Sequence, residues 1–278
     1  SKQASKASWF TNFMMPPLMN NHGNFIGSLG ELCRWLSGKA EALGVEIRYG
    51  SEVSGIAVRV GAVAGVGFSD GTSVSGDVYA LCTPFEVTRT WLNDDVYKAD
   101  PELGNMHFLE AEPMAALHLR LRKQLADLPR EHIFFHGSHY ALSLIDNSQS
   151  WGTQDGKAEL SFIASNYGPL KQVSDECATN LLIEEIREYL PITPDDVESS
   201  VLNPNTEVPL FINTIGAWPN RPRAKTRVRN LYIAGDFGRH AIELACMEGA
   251  VSAALKTTGE ILRERGGTQS QAAAQIPP

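Results

Sequence analysis

The apolar positions of the chain change period along its length, and each change predicts a new element. Ser28-Leu-Gly-Glu31 has the spacing of a capping box. Leu29, Leu32, Cys33, Leu36, Ala40 and Leu43 follow at helical intervals until Gly44 stops them. Val45 to Tyr49 then alternates as a strand, and Glu52 to Ile56 leads into a second. A hairpin follows, with Asp70-Gly71 as its turn between Val66/Phe68 and Val74. Asp77 to Cys82 reads as a further strand, ended by Pro84. Strands are also expected over Met114–Leu121, His139–Ile145, Ala158–Ile163, Val197–Leu202 and Val208–Ile212. Ser174 can cap a helix carrying Leu181, Leu182, Ile186 and Leu190, stopped by Pro191. Near the C-terminus, Leu231 to Ala234 is a short apolar run that predicts a buried strand, broken at Gly235-Asp236. A helix rich in Ala then runs from Glu248 to about Arg263.

The N-terminal stretch 1–23 opens polar and then concentrates Trp9, Phe10, Phe13, Met14, Met15, Leu18 and Met19 around Pro16-Pro17, which forbid one continuous helix. Such residues pack a core or adapt to a greasy ligand or partner. The tail 264–278 is polar and low in complexity, and is expected to be disordered.

Charge and cysteine usage narrow the function classes. The net charge is −8, from 24 Lys+Arg against 32 Asp+Glu, which disfavours a nucleic-acid partner. Cys33, Cys82, Cys177 and Cys246 fall singly, so neither a metal site nor a disulfide scaffold is expected, and a reducing cytoplasm is the default compartment. No apolar run reaches the roughly 18 residues that a spanning helix needs, although peripheral contact with a membrane stays open. Gly65, Gly67 and Gly71 do not make a dinucleotide loop, because the last of them belongs to a hairpin turn rather than a helix start.

The candidate chemistry lies in the last strand and helix. A strand ending in Gly235-Asp236, a connector, then a helix opening Met247-Glu-Gly-Ala-Val251 presents unpaired N–H groups and a partial positive charge to a polar ligand. The small residues Gly249, Ala250, Ser252, Ala253 and Ala254 would let something flat approach the helix closely. Strand–Gly-Asp–helix is common in α/β folds, and the residues themselves decide its meaning. Asn230-Leu-Tyr-Ile-Ala-Gly-Asp236 followed by Cys246-Met-Glu-Gly-Ala-Val251 closely resembles the C-terminal flavin-binding signature of the FAD-dependent amine oxidase and carotenoid (phytoene) desaturase superfamily. Leu117-His-Leu with Arg122-Lys123, and Ser143 to Ser148, resemble the plant-type phytoene-desaturase branch in particular.

That resemblance implies an α/β plus α+β fold: the C-terminal part of a glutathione-reductase-like FAD-binding domain with an inserted antiparallel-sheet substrate domain. The corresponding segments are 1–23, facing substrate domain or partner; 24–98, in the FAD domain; 99–215, the substrate domain; and 216–263, the flavin-binding strand and helix. It implies FAD as cofactor, held by the backbone of Val53, by Trp218, Gly235 and Asp236, and by Met247, Glu248, Gly249, Ala250 and Val251 at the helix start. Arg239, His240, Leu244 and Cys246 would face the substrate side, and His118, on the strand where many amine oxidases carry a lysine, is the catalytic candidate. Cys246 stands where amine oxidases often place an aromatic residue, which weakens an amine substrate because cations gain most from aromatic faces.

The family's N-terminal βαβ, with its glycine turn and ribose-binding acid, has no counterpart in the sequence. The resemblance therefore implies one half of an FAD-dependent oxidoreductase taking hydride from a largely apolar substrate, desaturase- or dehydrogenase-like. That half is expected to bind FAD poorly alone and to pair with a polypeptide carrying the βαβ, a separate subunit or the other product of cleavage. An amine or amino-acid oxidase, with Arg221, Arg223 or Arg239 binding a carboxylate, and a non-catalytic binding subunit are the alternatives.

Overall fold

The computed structural model describes residues 29–130, 132–151, 155–242 and 245–266. The expectations for 1–23, for the tail beyond 266 and for Leu244 lie outside these residues. The chain divides into two compact units. Residues 49–111 and 211–266 form the first; the remaining described residues form the second.

Helix α1 spans Leu29–Ala42, as its apolar spacing predicts, yet it keeps Trp35 and Leu36 exposed. The strand expected over Val45–Tyr49 does not form, and Val45 and Tyr49 are also exposed. An alternating sequence becomes a strand only when a neighbouring strand takes up its N–H and C=O groups, and no described strand does.

In the first unit, β1 (Val53–Arg59) and β2 (Ala62–Phe68) pair antiparallel, with β3 (Ser73–Val74) on the far side of β2. The β1–β2 turn at Val60-Gly61 has both φ angles in the left-handed region, at 49° and 70°. A β-branched residue is costly there, so this turn carries none of the Asn/Asp-Gly signal that marks such hairpins. The turn between β2 and β3 has that signal: Asp70 accepts from the N–H of Thr72 at 2.8 Å, with Gly71 at φ 84°. β4 (Tyr79–Leu81) leads into α2 (Phe85–Trp91) and α3 (Asp94–Ala99), two short helices that apolar periodicity alone does not reveal.

The second unit is built on a sheet of order β6-β7-β8-β5-β9. Its strands are β5 (Glu110–Leu121), β6 (Ile133–Phe134), β7 (Leu142–Asp146), β8 (Ala158–Ala164) and β9 (Val197–Ile212), with α4 (Asn147–Trp151) following β7. Helix α5 (Asp175–Tyr189) is capped by Ser174, whose hydroxyl accepts from the N–H of Cys177 at 3.2 Å. Its Ala178, Leu182 and Ile186, each four apart, are buried in one core with Leu117, Leu119, Leu121, Leu160 and Phe162 of the sheet. Two expectations are corrected here. Residues 139–141 turn rather than extend, because the buried carboxylate of Glu185 accepts the N–H groups of His139 and Tyr140. Val197–Leu202 and Val208–Ile212 are one strand: β9 lies at a sheet edge, where Pro204 has no ladder partner to deprive on its outer side.

The chain returns to the first unit through β10 (Leu231–Ile233), which pairs parallel with β4, and ends in α6 (Met247–Glu264). β10 is fully buried, and with β4, Phe85, Phe211 and Phe237 it forms the core of this unit.

Candidate functional site

The site grows from the end of β10. Ala234 extends the ladder by donating to the Leu81 carbonyl at 2.9 Å, and the chain then turns sharply, Gly238 N–H to Gly235 C=O at 2.9 Å. Gly235 is required by space: a Cβ there would lie 2.7 Å from Cδ1 of Phe237 and closer still to Cε1. Phe237 is pinned in turn by Phe85 (centroids 5.9 Å apart), which packs edge-on to Phe211.

Arg221 holds this turn from beneath. It is 1% exposed, and its guanidinium donates to the carbonyls of Asp236 and Gly238, both at 3.3 Å, and to Asn213 Oδ1 at 2.8 Å. The rings of Phe211 and Trp218 flank it at 4.8 and 5.5 Å. His240 adds a second clamp. Its Nδ1 accepts from the N–H of Ile242, so Nε2 carries the proton and donates to the Asp236 carbonyl at 2.9 Å. Arg239 donates to the carbonyls of Arg221 and Pro219. Arg239 and His240, expected on the substrate side, are thus engaged with main chain, and His240 is buried.

The Asp236 carboxyl is carried on this clamped backbone. Burial pushes that carboxyl above the ordinary carboxylate range, opposed by the Phe237 N–H and by the charge of Arg221. Glu86, in the first turn of α2, behaves alike: burial raises it, the charge of Asp236 adds to the effect and Arg89 opposes it. Both Glu86 oxygens are buried with no hydrogen-bond partner among the described residues. Glu86 stands out only in the folded chain. Its only signal was an acid just after the strand-ending Pro84.

Helix α6 is capped by Cys246, whose Sγ accepts from the N–H of Gly249 at 3.3 Å, and burial pushes the thiol up, away from thiolate chemistry. The small residues of this helix divide between two faces. Gly249, Ala253 and Thr257 are buried, and Thr257 donates to the Ile233 carbonyl at 3.1 Å, tying helix to strand. Met247, Val251 and Leu255 form an exposed apolar stripe with Ala250 and Ala254. Val53 opens β1 opposite Phe68, and Trp218 lies half-exposed on the turn before Arg221. In the second unit, His118 Nδ1 shares a 2.7 Å hydrogen bond with Ser161, whose hydroxyl also accepts from Asn147.

The profile of the family "Flavin containing amine oxidoreductase" matches residues 5–262, and the chain belongs to this family of FAD-dependent oxidoreductases. A curated relative, 15-cis-phytoene desaturase of Solanum lycopersicum, is 22% identical over 252 residues, covering 84% of this chain but 42% of the desaturase. A solved putative protoporphyrinogen oxidase from Exiguobacterium sp. 255-15 superposes with TM-score 0.63 at 17% identity, over 84% of this chain and 51% of its own. Cyclohexylamine oxidase from Brevibacterium oxydans IH-35A gives 0.56 at 15% identity, over 77% and 48%. The structural likeness is one of fold, and the chain spans about half the length of these relatives.

The residues present fit FAD, the family's cofactor. The orphaned acceptors of Glu86, with Asp236 nearby, suit a chain of hydroxyl groups, and the start of α6 suits the negative charge of a reduced ring.

Proposed function

We propose that this chain is the flavin-ring half of an FAD-dependent oxidoreductase that takes hydride from a largely apolar substrate, in the manner of a desaturase or dehydrogenase. FAD, when bound, supplies the hydride acceptor. The chain's own residues bind and orient it. Asp236 and Glu86 accept from its hydroxyls, Arg221 and His240 keep Asp236 in place, and the N–H groups at the start of α6 favour the charge that reduction adds.

One observation carries the partner reading: β4 and β10, which deliver the Gly-Asp turn, form a parallel sheet of two strands. Parallel sheets are stable when extended and covered on both faces, and here the second edge of β4 has no described neighbour. Val45–Tyr49, extended in sequence but unpaired, and the exposed apolar residues of α1 point the same way. A polypeptide carrying the family's N-terminal βαβ would extend that sheet and complete the cofactor site.

The test is co-expression with such a chain. The complex should show flavin absorbance that apolar substrates bleach, whereas the isolated chain should carry little. Stoichiometric FAD on the isolated chain would overturn the partner requirement. Release of hydrogen peroxide with amines would favour the amine-oxidase alternative, and a complex that no substrate bleaches would favour a binding subunit.

A further inference from the structure

The segment before β10 carries a feature that flavin binding does not use. Along residues 221–230 burial alternates: Ala224, Thr226 and Val228 point into the core, while Arg223, Lys225, Arg227 and Arg229 are exposed. The segment bends at Ala224, Arg227 and Val228 and turns at Arg229-Asn230, with its exposed cations at every second residue. In a chain of net charge −8 this is a local reversal of sign.

Beside this strip is an open cavity of about 490 Å³, lined by Trp218, Arg223, Lys225, Arg239, Lys256 and Glu260. Its charges are poorly compensated. Lys256 donates to the Arg239 carbonyl, and Arg239 to the Arg221 and Pro219 carbonyls, so neither has a carboxylate partner among the described residues. Arg223 and Arg227 share one carboxylate, Glu102, which Arg223 reaches only at 3.6 Å. Lys225 is paired with Glu264, and Glu260 on the cavity wall is bonded to Arg263. A second, smaller cavity of about 150 Å³ shares Arg223, Lys225 and Arg239.

We propose that this face binds a phosphate-bearing ligand, with Arg223, Lys225, Arg239 and Lys256 around the phosphates and the Trp218 ring beside the rest. Like charges held close repel, and a ligand with at least two negative charges relieves several at once, which a single carboxylate cannot. Guanidinium groups also match phosphate oxygens in pairs. Phosphate is the common chemistry of two sources, a soluble polyphosphate and an anionic lipid headgroup; Trp218 and Arg239 are also residues that the family resemblance places beside flavin and substrate.

The full chain is titrated with inorganic pyrophosphate by calorimetry, and separately floated with vesicles of phosphatidylcholine and phosphatidylglycerol in equal parts. Pyrophosphate binding without flotation assigns a soluble ligand; flotation without pyrophosphate binding assigns a lipid surface. In either arm the double variant Arg223→Gln/Lys256→Gln should lose about tenfold or more in affinity, the worth of one or two charged hydrogen bonds. Lys171→Gln, far along the sequence in the other unit, and Asp236→Asn, in the flavin site, should bind as the parent does. Added salt should weaken the parent more than the double variant. Both substituted side chains are exposed, so the thermal midpoint should not move. The proposal is overturned if neither probe binds, if the double variant binds like the parent, or if polyglutamate binds as well as pyrophosphate.

Discussion

Gly235 leaves no room for a methyl group, because the Phe237 ring fills the space where Cβ would go and Phe85 holds that ring in place. Gly235→Ala should therefore cost about 1–3 kcal/mol, the usual cost of overpacking, read from a urea melt. The carboxyls of Glu86 and Asp236 make a second residue-scale prediction. Both have pKa values raised on folding, so between the ordinary carboxylate value and the raised one the folded chain binds more protons than the unfolded chain. Stability must then fall as pH rises through that window. Glu86→Gln removes part of the slope and should raise stability above the window by up to about 1 kcal/mol, after allowance for solvent screening. A melt that is flat across the acidic range in the parent would contradict this. None of this was visible in the sequence, because it depends on which groups the Phe85–Phe237 contact brings together.

Among the elements, α6 was the most legible. Its start, its acid in the first turn and its Ala-rich body are all local properties, and the helix formed over Met247–Glu264. Which of its small residues mattered was not legible. Gly249, Ala253 and Thr257 are the buried stripe, and Val251 belongs to the exposed one. Ala253→Leu should destabilise the chain by about 1–3 kcal/mol, whereas Val251→Ser should stay within about 0.5 kcal/mol. Val251→Ser should nevertheless lower flavin retention in the complex, which separates the two faces of one helix. The strand expected over Val45–Tyr49 failed for a reason of the same scale. Alternation proposes a strand, but only a neighbour can supply its hydrogen bonds.

For the whole molecule, the exposed face of α1 is the most direct test of the partner. Leu36→Glu places a charge where the proposal puts a buried contact, since Leu36 is 52% exposed in this chain. The isolated variant should melt within about 0.5 kcal/mol of the parent, because an exposed position contributes little. Its complex with the βαβ-bearing chain should weaken by about tenfold or more, the cost of burying an unpaired charge at an interface. An unchanged complex would remove α1 from the proposed contact.

The sequence by itself determined what is local or repeated along the chain. Apolar spacing marked α1, α5, β5, β8 and β10; Ala-rich helix formers marked α6; the Asp70-Gly71 turn marked β3; and the Gly-Asp and Met-Glu-Gly segments carried the resemblance to a flavin-binding signature. Only the tertiary structure decided what depends on distant residues meeting. It placed buried Arg221 beneath the Asp236 turn and the unpartnered Glu86 beside it. It merged β9 across a proline that an edge strand tolerates, and it left α1 and the segment after it uncovered. The reason is physical: turns, caps and periodicity are short-range, whereas the partner of a buried charge or an open strand edge is set by packing between segments far apart in the chain.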